Sequence, residues 1–202
     1  VVVTKENRMR PFARTAGLLL ASLLCFAPLA PRAQSAGATF SVDSSASTVS
    51  YKIVHKLHTV TGTSKGPEGK ARILPDGKAQ VMITIPVQTF DSGNSQRDAH
   101  VKETLSAATF PTVTLKALGE GITVPTTFPT TLEKTFKGEL TFHGEKKTME
   151  FPVKLVFESA TRVTATAAFQ ISLEGFKVER PSLLLVKVDD AAKIEVSLVF
   201  KA

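Results

Sequence analysis

An all-β, antiparallel fold with a single short helix is the class this sequence predicts, and three observations carry it. About eight or nine segments alternate apolar and polar residues with the period of two that a half-buried strand requires. One long stretch, Asp91 to Pro111 (DSGNSQRDAHVKETLSAATFP), lacks that alternation. Helical segments are not interleaved with the strands, which excludes the βαβ units of a parallel sheet and leaves an antiparallel barrel or sandwich.

In chain order, Thr39 to Asp43 is a short strand and Ser44 to Ser47 a turn. Val49, Tyr51 and Ile53 alternate with Ser50 and Lys52, and His55 to Gly62 either continues that strand or bends it. Gly66-Pro67 and Pro75-Asp76-Gly77 bracket a strand from Gly69 to Leu74. The next strand, Val81 to Phe90, sets Val81, Ile83, Ile85 and Val87 on one face. Within Asp91 to Pro111, Gly93-Asn94 is a turn signal, and Ser95 with Asp98 three residues later is a capping-box pattern. Val101, Leu105 and Ala108 then recur at helical spacing. Phe110 precedes Pro111, whose ring disfavours helix in the residue before it, so the helix is short. Strand alternation resumes at Val113, Leu115 and Ala117, and Gly119 to Pro129 is an irregular loop. Phe136, Gly138, Leu140 and Phe142 form one inward row, His143 to Lys146 a hairpin, and Met149 to Phe157 the returning row. Val163 to Ile171 follows, Gly175 to Leu185 is a break, and Ile194 to Phe200 ends the pattern.

Residues 1–36 read differently. Arg10 and Arg14 precede an apolar run, Gly17 to Ala30, and Ala33-Gln34-Ser35-Ala36 supplies small residues for cleavage, the pattern of a secretory signal peptide. Met9 is a second candidate start, with Val1 to Arg8 an upstream extension. Pro28 and Pro31 interrupt the run, which is short for a transmembrane helix. The expected folded domain is thus 37–202, periplasmic or secreted. Cys25, the only cysteine, falls in the leader, so that domain has no thiol for a disulfide or a metal, and Leu24 before it does not fit a lipoprotein cleavage site. Five basic residues against Glu6 put +4 of the net +7 in 1–36, leaving about +3 for the domain. No basic run with interleaved aromatics remains to bind nucleic acid.

The inward rows include small residues at Ala117, Gly138, Ala165 and Ala167, and the chain has no Trp. Such an interior either packs tightly against its Phe residues or leaves an apolar tunnel, and the pattern leaves both open. His55 and His58 stand on opposite faces of a regular strand, and only a bend at Lys56-Leu57 would bring them together as metal ligands. There is no Gly-x-Ser-x-Gly elbow and no carboxylate pair in a setting that raises a pKa, so the reading is a non-enzyme without cofactor or metal.

Asp91 to His100, followed after nine residues by Phe110-Pro111-Thr112-Val113-Thr114-Leu115, resembles the signature of the YceI-like proteins. Val49 to His55 with Val60 and Gly62 is similar to that family's first long strand and bend, Gly138 to Gly144 to its late hairpin, and Phe169-Gln170-Ile171 to its penultimate strand region. Ser64, Leu173 and Gly175 depart from the pattern. The resemblance implies an exported, eight-stranded, lipocalin-like barrel whose helix closes one side and whose channel holds an isoprenoid quinone or polyprenyl phosphate. Tyr51, Ile53, Ile83, Ile85, Phe142, Phe151, Val153, Ala167, Phe169 and Ile171 are the expected lining, with His55, Arg97 and His100 toward a head group. Transient contact with a membrane or membrane protein, and a homodimer, are further expectations. The alternatives are a scavenger of diverse amphiphiles and a metal or haem redox partner using His55, His58 and His100.

Overall fold

The computed structural model describes residues 37–55, 58–180, 182–183 and 186–202, so the reading of 1–36 lies outside the described residues. β1 (Ala38–Val42) leads through a 3-10 turn, Ser44–Ala46, into β2 (Thr48–His55) and β3 (His58–Ser64). β4 (Glu68–Ile73), β5 (Ala79–Pro86) and β6 (Phe90–Asp91) precede the helix α1 (Ser95–Thr104). Then come β7 (Thr112–Gly119), β8 (Thr130–Phe142), β9 (Glu145–Ser159) and β10 (Arg162–Ser172). The small hairpin β11 (Ser182–Leu183) and β12 (Val186–Lys187) precedes β13 (Ala191–Lys201).

Hydrogen-bonded neighbours run β1-β4-β5-β7-β8-β9-β10-β13, and β13 pairs back onto β1, so eight antiparallel strands close into a barrel. Closure pairs β1 with β13, the two strands that would be the edges of an open eight-stranded sheet, while β2, β3 and β6 branch from β13. β13 serves two partners along one edge: Val42 lies opposite Phe200, and Thr48 opposite Ser197. The chain passes from one partnership to the other beside Val199, whose backbone would be orphaned there. Asp43 N–H donates to the Val199 carbonyl at 2.8 Å, and the buried Ser47 hydroxyl oxygen accepts from the Val199 N–H at 2.9 Å. Lys201 pairs with Asp43 at 2.5 Å, joining β13 to the end of β1 and holding the Asp43 carboxyl at a pKa of about 2. Inside, Phe40, Phe151, Phe157 and Phe176 are fully buried with Ile122, which comes from the 120–129 loop.

Three local expectations are corrected. The strand expected over Val81 to Phe90 ends at Pro86, where the Thr89 hydroxyl donates to the Pro86 carbonyl at 2.6 Å and folds the chain; Val87–Thr89 is a 3-10 turn and Phe90-Asp91 pairs with β3 instead. The helix cap is Asn94, whose side chain accepts from the Arg97 N–H at 3.0 Å, rather than Ser95. The helix also stops at Thr104: Ser106 has φ 46°, which turns the chain so that Ala107 is buried while Ala108 is exposed. At the first bend, β2 and β3 reverse direction, and His55 and His58 are cross-strand partners by backbone register.

Candidate functional site

Alternate residues of the barrel strands point inward, and where those residues are small the opposing side chains do not meet. The result is an interior cavity of about 100 Å³ whose wall exposes no polar atom. Of the residues the sequence nominated, Ile83, Phe151, Val153, Ala167 and Phe169 line it, as do the small residues Ala117 and Ala165. Gly138 serves a different purpose, since a Cβ there would lie 2.4 Å from the Lys116 carbonyl oxygen and 2.6 Å from the Ala117 Cβ. It lets β7 and β8 approach.

Tyr51, Ile53, Ile85, Phe142 and Ile171 are not on the cavity wall. They belong to the other end of the barrel, where Ile171 and Ile53 both face Ala192, Ile85 faces Val113 and Phe142 closes the β8–β9 hairpin. Aromatic contacts fill that end: Phe142 meets Phe176 edge-on at 5.6 Å, and Phe110 meets His143 at 4.9 Å. His143 Nδ1 lies 3.2 Å from the Phe176 carbonyl oxygen, tying the hairpin tip to the 3-10 turn Glu174–Phe176. Tyr51 packs on Phe90 at 5.5 Å and across Gly62, where a Cβ would come within 2.5 Å of its ring. Burial pushes the Tyr51 hydroxyl pKa up, and the Asp98 carboxylate adds to that.

The polar residues of the helix region bond chiefly to one another. Ser92 donates from its N–H and its hydroxyl to Asp98 Oδ1, at 3.0 and 2.5 Å, which lowers the Asp98 pKa. Arg97 donates from Nε to the Ser92 hydroxyl oxygen and from its guanidinium to the Ser92 carbonyl, both at 2.8 Å. Arg97 therefore anchors the turn before the helix. His100 is 82 % exposed, with Glu103 at 3.9 Å. No group of three or more His, Cys, Asp or Glu that could hold a metal occurs among the described residues.

Sequence reasoning missed lining residues of two kinds. Phe40, Ala71, Leu115 and Phe136 lie on rows whose alternation was legible, so the missing information was depth along the barrel. Ile122 comes from an irregular loop with no period to read; it is held by its N–H donating to the Gly77 carbonyl at 2.9 Å.

The chain is thus a closed eight-stranded barrel around an apolar cavity, with a capped helix before β7. A family model described as the YceI-like domain matches residues 40–200. The chain belongs to the YceI-like family. Among solved structures it is similar to a polyisoprenoid-binding domain from Saccharophagus degradans implicated in plant cell wall breakdown, at TM-score 0.69 and 16 % identity, over 81 % of this chain and 98 % of that one. It is also similar to BcnA of Burkholderia cenocepacia, at TM-score 0.64 and 22 % identity over 78 % and 98 % of the two chains. A YceI protein of Campylobacter jejuni follows at TM-score 0.57 and 15 % identity, over 74 % and 88 %. Comparison with curated protein sequences returns no match. At these identities the structural likenesses establish the YceI-like fold.

Proposed function

We propose that this YceI-like protein binds the apolar chain of an isoprenoid lipid inside its barrel and carries or stores it outside the cytoplasm, without catalysing a reaction on it. The observation that carries this reading is the wholly apolar wall of the interior cavity. Such a wall offers a guest burial alone, worth about 0.8 kcal/mol for each methylene removed from water. The same fold in a polyisoprenoid-binding domain supports the choice of an isoprenoid over other apolar guests. The cavity, about 100 Å³, is smaller than the roughly 300–1,000 Å³ of ordinary ligand pockets. A long chain is accommodated by rotation of wall side chains, Phe151 and Phe169 among them. Export rests on the leader pattern of residues 1–36. No helix among the described residues is long and apolar enough to cross a membrane.

Organic extraction of the protein purified from the exported fraction, followed by mass spectrometry, tests the reading. One isoprenoid species at near-stoichiometric amount is the expected result. A protein that carries no lipid and takes up none from isoprenoid-loaded vesicles would overturn it.

A further inference from the structure

The β9–β10 ladder is shorter than either strand. It runs from Arg162 opposite Ser159 to Ala167 opposite Val153 and stops there. β10 nevertheless continues to Ser172, paired only with β13, while β9 begins at Glu145, paired only with β8. The barrel wall therefore contains a seam between residues 145–152 on one side and 168–172 on the other.

The cause can be read from the hairpin. His143 (φ 50°) and Gly144 (φ 76°) form a two-residue turn with both residues left-handed, so Phe142 and Glu145 close it as a hydrogen-bonded pair. Hydrogen-bonded and non-bonded pairs alternate from there along an unbroken register. Phe136 opposite Phe151 is a bonded pair by this count, and Thr135 opposite Pro152 is not. The backbone nitrogen of Pro152 thus faces β10, where the next rung of the ladder would require it to donate. Proline cannot, and the ladder ends one residue away, at Val153.

The wall is thin at this point. Val153, Thr166, Ala167 and Val196 line the interior cavity and also an external groove of about 790 Å³ that includes Pro152 and Ala168. Above them the seam is bridged by the edge-on contact of Phe151 with Phe169, 5.0 Å between centroids. The groove carries Glu133, Glu195, Lys134 and Lys154, which sum to no net charge, together with hydroxyls such as Thr135 and Ser197. That surface suits a hydrogen-bonding head group without net charge.

We propose that the seam opened by Pro152 is a side entrance, through which an isoprenoid chain reaches the cavity while an uncharged head, such as an alcohol or quinone, stays in the external groove. The inference rests on the apolar-ligand reading above. No ladder bonds cross the seam, so opening beside Pro152 requires Phe151 and Phe169 to part, while the far end stays tied by the Lys177–Glu145 ion pair at 2.6 Å and by Lys147 over the Phe176 ring.

The test uses retinol, a fluorescent isoprenoid alcohol, with stopped-flow mixing and native-state hydrogen exchange. Pro152→Val restores the missing donor and lets the ladder extend, and Ala168→Trp obstructs the seam from outside without entering the cavity. Entry and release are expected to slow about tenfold or more in both variants. In Pro152→Val the amides of Ala168 and Gln170, which face β9 by the same alternation, should gain protection. Wild-type rates in Ala168→Trp, or in a Pro152→Val protein whose amides show the ladder extended, overturn the side entrance alone. Failure of the wild-type protein to bind retinol overturns the apolar-ligand reading and the entrance with it, whereas retinol binding with unchanged rates leaves the cavity reading intact.

Discussion

Ala167→Phe separates the cavity from the fold that contains it. Ala167 lies on β10 opposite Val153 and Val196, and its methyl is part of the cavity wall. A benzyl group there points into a space of about 100 Å³. At roughly 24 cal/mol per Å³, that void costs the fold about 2 kcal/mol, which a side chain filling it would recover. Imperfect fit in a packed interior costs about 1–3 kcal/mol, so the two effects nearly cancel and Tm should move by no more than about 4 °C. Ligand binding has no such compensation. Excluding one isoprene unit of about five carbons removes about 4 kcal/mol of burial, close to a thousandfold in affinity. Retention after lipid loading is read by extraction and mass spectrometry, and fold integrity by near-ultraviolet circular dichroism and thermal melting. A variant that folds, melts normally and keeps its lipid at wild-type stoichiometry would refute the placement of the guest against the inner face of β10.

The barrel's closure and local geometry give four further tests. Ser47→Ala leaves the buried Val199 N–H without its acceptor, so urea unfolding should show a loss of about 1–3 kcal/mol. Gly138→Ala places a methyl against the fixed Lys116 carbonyl oxygen and should cost at least about 1–3 kcal/mol by the same assay. Asn94→Ala removes the helix cap and should cost about 0.5–2 kcal/mol. Asp43 has a folded pKa of about 2 against an ordinary value of 3.8, so its pairing with Lys201 stabilises the barrel above pH 3.8 and that contribution disappears as pH falls toward 2. Asp43→Asn should therefore melt lower than wild type at pH 5 and lose less Tm between pH 5 and pH 2, as followed by circular dichroism.

Much of the barrel was legible because alternation is a local signal: the apolar rows of β8, β9, β10 and β13 stand in the sequence as they stand on the inner wall. Signals that depend on a partner distant in sequence were not. The cavity occupies the part of the barrel near Ile83, Phe151 and Ala167, while Tyr51, Ile53, Ile85, Phe142 and Ile171 occupy the other end, and period two carries no information about depth. Arg97 and His100 share one short helix and read alike as polar residues near a mouth, yet Arg97 is bound into the Ser92 turn and His100 is solvated. Ser47 appears in the sequence as one more turn residue, and its role follows only from the handover of β13 between β1 and β2 beside Val199.

Pro152 shows how far a local reading could have gone. A proline inside an alternating strand looks like a tolerated irregularity until its backbone direction is known, and that direction is a matter of parity. The two-residue His143-Gly144 turn makes Glu145 a hydrogen-bonded residue toward β8, so every second residue after it shares that direction, and Pro152, seven residues on, does not. Its missing donor therefore had to fall on the side away from β8, where the barrel needs β10 to complete its wall. A hairpin turn and a proline, both visible in the sequence, thus determine where the β9–β10 ladder stops. The small residues Ala167 and Ala168 lie at that same level, one facing the cavity and one the groove, so the interruption in hydrogen bonding coincides with the least side-chain obstruction between the two. A Phe at 167 costs the fold little by the balance worked above, so packing does not demand the small side chain there. Small side chains at this level are what a passage requires.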